Sequence, residues 1–128
     1  MRNDNDLSLP VADLVIGEHH LTRASGGIYK HRFPGNGEIQ AEVPLAGFKE
    51  VDMAVKEAKR ALVSWRNTPP SLRRDILFRL ADAVEANAEE FAWIGAREVG
   101  SPLSGVKFIP AKFSAWTKYA AGWADKIE

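Results

Sequence analysis

Two hydrophobic periods divide this 128-residue chain at Leu45 to Lys49. Ahead of that point, short apolar or alternating runs are interrupted by glycine. They run Leu14 to Ile16, His19 to Leu21, Ile28 to Phe33 and Glu38 to Val43, with Gly17-Glu18, Gly26-Gly27 and Pro34-Gly35-Asn36-Gly37 between them. Glycine beside a polar residue between two extended runs marks a hairpin, because the tight turns that match strand twist need positive φ. The pattern predicts three or four short strands within residues 13–43, with the clearest turns at Gly17-Glu18 and Gly35-Asn36-Gly37. So few strands form a stable sheet only if something covers one face.

Beyond Lys49 the period becomes helical. Val51, Val55, Ala58, Leu62 and Trp65 share one face of a helix expected over about 48–67, which Pro69-Pro70 ends. Ser71 is placed to cap a second helix, about 71–86, with the stripe Leu72, Ile76, Leu80 and Val84 widened by Leu77 and Ala83. Asn87 with Glu90 three residues on resembles a capping box, so a break is expected there and a fresh helix over about 88–99. Gly100-Ser101-Pro102 is a stop signal. Ile109, Phe113, Trp116, Ala120, Trp123 and Ile127 form the last stripe. Pro110 either begins that helix or kinks a longer one; the kinked helix over about 103–126 is the preferred reading. The fold class expected is therefore α+β: short strands, then about four amphipathic helices.

Charge and composition narrow the functions. Seventeen basic residues balance seventeen acidic ones, so no surplus positive charge is available for phosphates or anionic lipid, and neither nucleic acid nor a membrane is an expected partner. The polar start Met1 to Pro10 lacks the apolar core of a signal peptide, and no apolar run is long enough to span a bilayer; a cytoplasmic location is the simplest reading. The chain contains no cysteine, which excludes a disulfide framework, a thiolate metal site and a cysteine nucleophile within it. His19 and His20 are adjacent on an extended run and point to opposite faces, so they cannot chelate one ion together. Gly35-Asn36-Gly37 joins two strands, whereas a phosphate cradle follows a buried strand and opens a helix.

The order of segments resembles the opening of the NAD(P)-dependent aldehyde dehydrogenase family. The stretches that carry the resemblance are Leu14-Val15-Ile16-Gly17-Glu18, Pro34-Gly35-Asn36-Gly37-Glu38, and Glu50-Val51-Asp52-x-Ala54-Val55 leading to Trp65-Arg66. Arg79-Leu80-Ala81-Asp82, Glu98-x-Gly100-x-Pro102 and Tyr119-Ala120-Ala121-Gly122-Trp123-Ala124-Asp125-Lys126 complete it. Two positions depart from the family pattern: Phe33 stands where asparagine is usual before the proline, and Asn36 where threonine is usual before Gly37.

The resemblance implies an α/β family in which a cysteine thiolate attacks the aldehyde and NAD(P) takes hydride from the thiohemiacetal. A glutamate-activated water then releases the acid, and an asparagine side chain with a backbone amide holds the oxyanion. All of those groups lie later in the family than the segments matched here. The chain is accordingly expected to be an N-terminal arm, 1–12, followed by a partial coenzyme-domain segment, 13–128, with no catalytic residue and no coenzyme-binding residue of its own. NAD or NADP belongs to the parent enzyme, and this chain is expected to be inactive alone.

By position in the family, Phe108, Lys112, Phe113 and Trp116 are candidates for lining the substrate entrance, although Phe113 and Trp116 are read first as packing on a neighbouring helix and Lys112 as facing solvent. The family also suggests a monovalent cation held by Glu98 and the backbone carbonyl of Arg32; a solvated Glu98 at a helix end is preferred. The expected partners are the remainder of an aldehyde dehydrogenase polypeptide or a second copy, with the apolar helix faces left partly uncovered. A standalone helical interaction module acting through Phe113, Trp116 and Trp123 is the alternative.

Overall fold

The computed structural model describes residues 9–126; most of the expected N-terminal arm, and Ile127 of the last stripe, lie outside the described residues. The chain divides into two compact units, one up to Arg66 and one from Asn67.

The first unit contains two antiparallel hairpins and one helix. Strand β1 (Leu14–Ile16) pairs with β2 (His19–Leu21) across Gly17-Glu18, and Gly17 takes the positive φ of 60° that the turn requires. Strand β3 (Ile28–Arg32) pairs with β4 (Ile39–Pro44), with an irregularity between His31 and Arg32. The Asn36 side chain tightens the connecting turn by accepting from the Glu38 amide, and the Arg32 guanidinium donates to the Gly37 carbonyl at 2.8 Å. The strands form two separate ribbons, so each needs support from elsewhere. Helix α1 (Phe48–Arg66) starts at Gly47, whose carbonyl accepts from the Val51 amide.

The second unit is helical: α2 (Pro70–Ala86), α3 (Ala88–Val99), α4 (Leu103–Val106) and α5 (Ile109–Ala121). Gly100 caps α3 in the left-handed conformation at φ 68°, as the stop signal predicts. Helices α2 and α5 run antiparallel. Arg74 near the start of α2 pairs with Asp125 beyond the end of α5, Asp82 pairs with Lys118, and Glu85 near the end of α2 accepts from Ser114 nearer the start of α5. Between these polar ties the contact is made by small residues: Ala81 is 0% exposed, Ala121 1% and Ser114 2%. Small side chains let two helix backbones approach closely and bring many atom pairs into dispersion contact.

Three local expectations are corrected. The single helix over 103–126 is two helices followed by turns, because Pro110 has no amide to donate and its ring would clash with the carbonyl four residues back; it sits in the first turn of α5 instead. Ser71 does not cap α2, which already begins at Pro70 without a side-chain cap. Asn87 separates α2 from α3 as expected, yet its side chain reaches back to donate to the Ala83 carbonyl at 2.7 Å, so it closes α2 rather than capping α3.

Candidate functional site

Helix α5 carries Lys112, Phe113 and Trp116 of the candidate residues, and two faces of it meet different surroundings. Pro110, Ser114 and Ala121 are buried, whereas the large residues one or two positions away, Ile109, Phe113, Trp116 and, just past the helix end, Trp123, are exposed. A shift of one residue turns a side chain about 100° around the helix, so the small-residue face closes against α2 and the aromatic stripe looks outward. The expectation that Phe113 and Trp116 pack on a neighbouring helix is therefore corrected: Trp116 is 68% exposed. Ala115, Trp116 and Tyr119 line an open cleft of about 280 Å³. Tyr119 meets Trp123 edge to face at 6.3 Å between ring centroids. Phe108 precedes α5, and the Lys112 ammonium stands 6.0 Å from its ring while remaining exposed to water.

The proposed cation ligands fall in separate units. Arg32 ends β3 in the first, and Glu98 is exposed in the last turn of α3 in the second. Among the described residues no group of three or more His, Cys, Asp or Glu side chains is placed to hold a metal ion. Both sheets are antiparallel ribbons, and the turn around Gly35 to Gly37 connects β3 to β4 instead of opening a helix onto a diphosphate. Among the described residues no helix is long and apolar enough to cross a membrane.

Sequence reasoning missed two polar centres. In the first unit, Glu50 is a buried carboxylate that accepts from the Ser25 hydroxyl and, at 2.9 Å, from the Gly47 amide. Those two hydrogen bonds, the Ser25 hydroxyl first, pull its pKa from 4.5 down to about 2. The signal was present: a glutamate at the third helical position reaching back to the residue before the helix is half of a capping box, concealed because that residue is glycine. In the second unit, Ser114 donates to Glu85 at 2.8 Å and Lys118 contacts Asp82 at 2.7 Å and Glu85 at 3.5 Å. The hydrogen bond to Asp82 leads in holding Lys118 above the usual lysine range. Only the antiparallel register of α2 and α5 brings these four together, so a linear pattern does not reveal them. Ser114 is too enclosed to act as a nucleophile on an external substrate.

Two antiparallel ribbons followed by a helical hairpin with an outward aromatic stripe define an α+β segment of a larger α/β architecture. The chain belongs to the aldehyde dehydrogenase family, whose profile matches residues 21–128. It is 36% identical over 126 residues to an aldehyde dehydrogenase-like protein of Schizosaccharomyces pombe, covering 98% of this chain and 25% of that protein. It is 35% identical over 130 residues to a phenylacetaldehyde dehydrogenase of Pseudomonas fluorescens, covering 94% and 26%. Among solved structures, an NAD-dependent aldehyde dehydrogenase from Sinorhizobium meliloti superposes with a TM-score of 0.88 at 28% identity, over 98% of this chain and 26% of that one. The chain thus spans about a quarter of the length of the relatives it matches.

Proposed function

We propose that this chain is the N-terminal structural portion of an aldehyde dehydrogenase and that it supplies no reacting group of its own. In the parent reaction an aldehyde is oxidised to a carboxylic acid with NAD(P) as hydride acceptor. This chain has no cysteine to attack the aldehyde, and its two described sheets are antiparallel ribbons and not a parallel dinucleotide sheet. The observation that carries the reading is the state of the apolar faces: Val51, Val55, Leu62 and Trp65 on α1, Phe113 and Trp116 on α5, and Trp123 in the turn after it, are all exposed. Contiguous large apolar stripes on a charge-balanced chain are interaction surfaces, and the other three quarters of the relatives' length is the cover that matches them. The aromatic face of α5, with Phe108, Lys112, Phe113 and Trp116, is assigned to the substrate entrance of the assembled enzyme. Glu98 is assigned to a solvated helix end.

The test is complementation. This chain, co-expressed with the remaining part of a homologous aldehyde dehydrogenase, is expected to give a soluble complex that forms NADH from an aldehyde, whereas neither part does so alone. Saturable NAD-dependent turnover by this chain by itself overturns the proposal. A second reading, a standalone interaction module, is favoured by the same aromatic stripe. It predicts instead a monodisperse chain that is fully folded without any dehydrogenase polypeptide.

A further inference from the structure

Helix α1 is anchored in an unusual way. Its buried residue is neither a valine nor a leucine but Glu50, 6% exposed, in the first turn. An unpaired carboxylate in that position is tolerated only if donors replace its lost water, and here they do. The Gly47 amide is one of the orphan donors at a helix start, and the Ser25 hydroxyl arrives from the loop ahead of β3.

The backbones around the carboxylate cross at close range. The Gly26 amide donates to the Leu45 carbonyl at 2.9 Å and the Leu45 amide to the Gly27 carbonyl at 2.9 Å, which extends the β3–β4 ladder to the helix entrance. A Cβ on Gly26 would stand 2.5 Å from the Leu45 carbonyl oxygen, and one on Gly47 would collide with the Ser25 hydroxyl. Both glycines are therefore required by space rather than by a positive φ.

We infer that Ser25, Gly47 and Glu50 form a polar clasp that locks the loop at residues 24–27 onto the start of α1 and makes that end the anchored end of the helix. From Ala58 to Arg66 every residue of α1 is exposed. The helix is thus held at its entrance while its far end stays loose. This conformational device is local to the first unit and does not depend on the proposed function.

Residue-resolved amide exchange on the whole chain tests it. In the unaltered protein the amides of Gly47 and Val51 exchange at least tenfold more slowly than those of Leu62 to Trp65. An ordinary amphipathic helix docked along its length gives the opposite gradient, with its middle turns slowest, and that result overturns the inference. Ser25→Ala and Glu50→Gln each accelerate exchange at Gly26, Leu45, Gly47 and Val51 by tenfold or more, with amides of α2 and α5 unchanged. Equal acceleration in α2 and α5 shows a global loss of stability and also overturns it. Should Glu50→Gln fail to fold, the milder Ser25→Ala decides, with tryptic cleavage after Lys49 as a second readout: faster in the variant if the clasp holds that turn, unchanged if it does not.

Discussion

Helices α1 and α5 are both amphipathic, yet they are fixed by opposite means. In α5 the small face Pro110, Ser114 and Ala121 is closed against α2 along most of the helix, with Ser114 and Lys118 tied to Glu85 and Asp82. In α1 one carboxylate at the entrance is enclosed, and the apolar stripe that follows stays open. The difference teaches that an apolar stripe and a packing face need not coincide. A helix pair closes first where the backbones can come nearest, which is the face of alanine and serine, and the large side chains remain for another partner.

The sharpest way to break this contrast is to fill the closed contact. Ala81→Leu adds volume where none is available, and overpacking of that kind is expected to cost about 3 kcal/mol in the unfolding of the α2–α5 pair, read by urea denaturation. The same substitution at the exposed Ala58 of α1 is expected to change little, and an equal effect at both sites would erase the distinction.

Ser114→Ala comes next. It removes a buried hydroxyl that donates to a carboxylate, with an expected loss of about 1–2 kcal/mol. No measurable change in the urea midpoint would mean that the Glu85 contact is incidental.

The clasp provides a pH test, and the sign follows from its depressed pKa. A carboxylate held at about 2 rather than 4.5 favours the folded state fully above 4.5, and that contribution disappears as the pH falls from there towards about 2. Unfolding of the first unit, followed by amide resonances of β4 and α1, is expected to become easier across this window. Glu50→Gln removes that part of the slope, whereas a slope identical in the variant assigns the acid response to other carboxylates.

The smallest effect belongs to the open stripe. Leu62→Ser is expected to alter stability by less than about 0.5 kcal/mol, as for a surface position, while reducing self-association in sedimentation experiments. A loss of several times that size would reveal that the stripe is already packed.

Several elements were legible from particular residues. Gly17-Glu18 marked the first hairpin, Gly100 the end of α3 and Asn87 the break between α2 and α3, because each depends on a backbone preference confined to a few positions. The family was legible for a related reason: many short segments, weak one by one, recur in a fixed order. Pro110 was ambiguous because proline can open a helix or bend one, and the choice depends on whether the preceding turn packs. Asn87 was assigned to the wrong helix because its side chain can serve either neighbour.

The sequence by itself determined the periods, the breaks and the chemistry that is impossible here, above all a thiolate attack in a chain with no cysteine. Only the tertiary structure decided which helical face closes, that Glu50 meets Ser25 across twenty-five positions, and that Ser114, Glu85, Lys118 and Asp82 assemble between two antiparallel helices. The physical reason is that helical periodicity records how apolar a face is, whereas close packing and hydrogen bonding depend on which backbone arrives opposite it, and that information lies in residues distant along the chain.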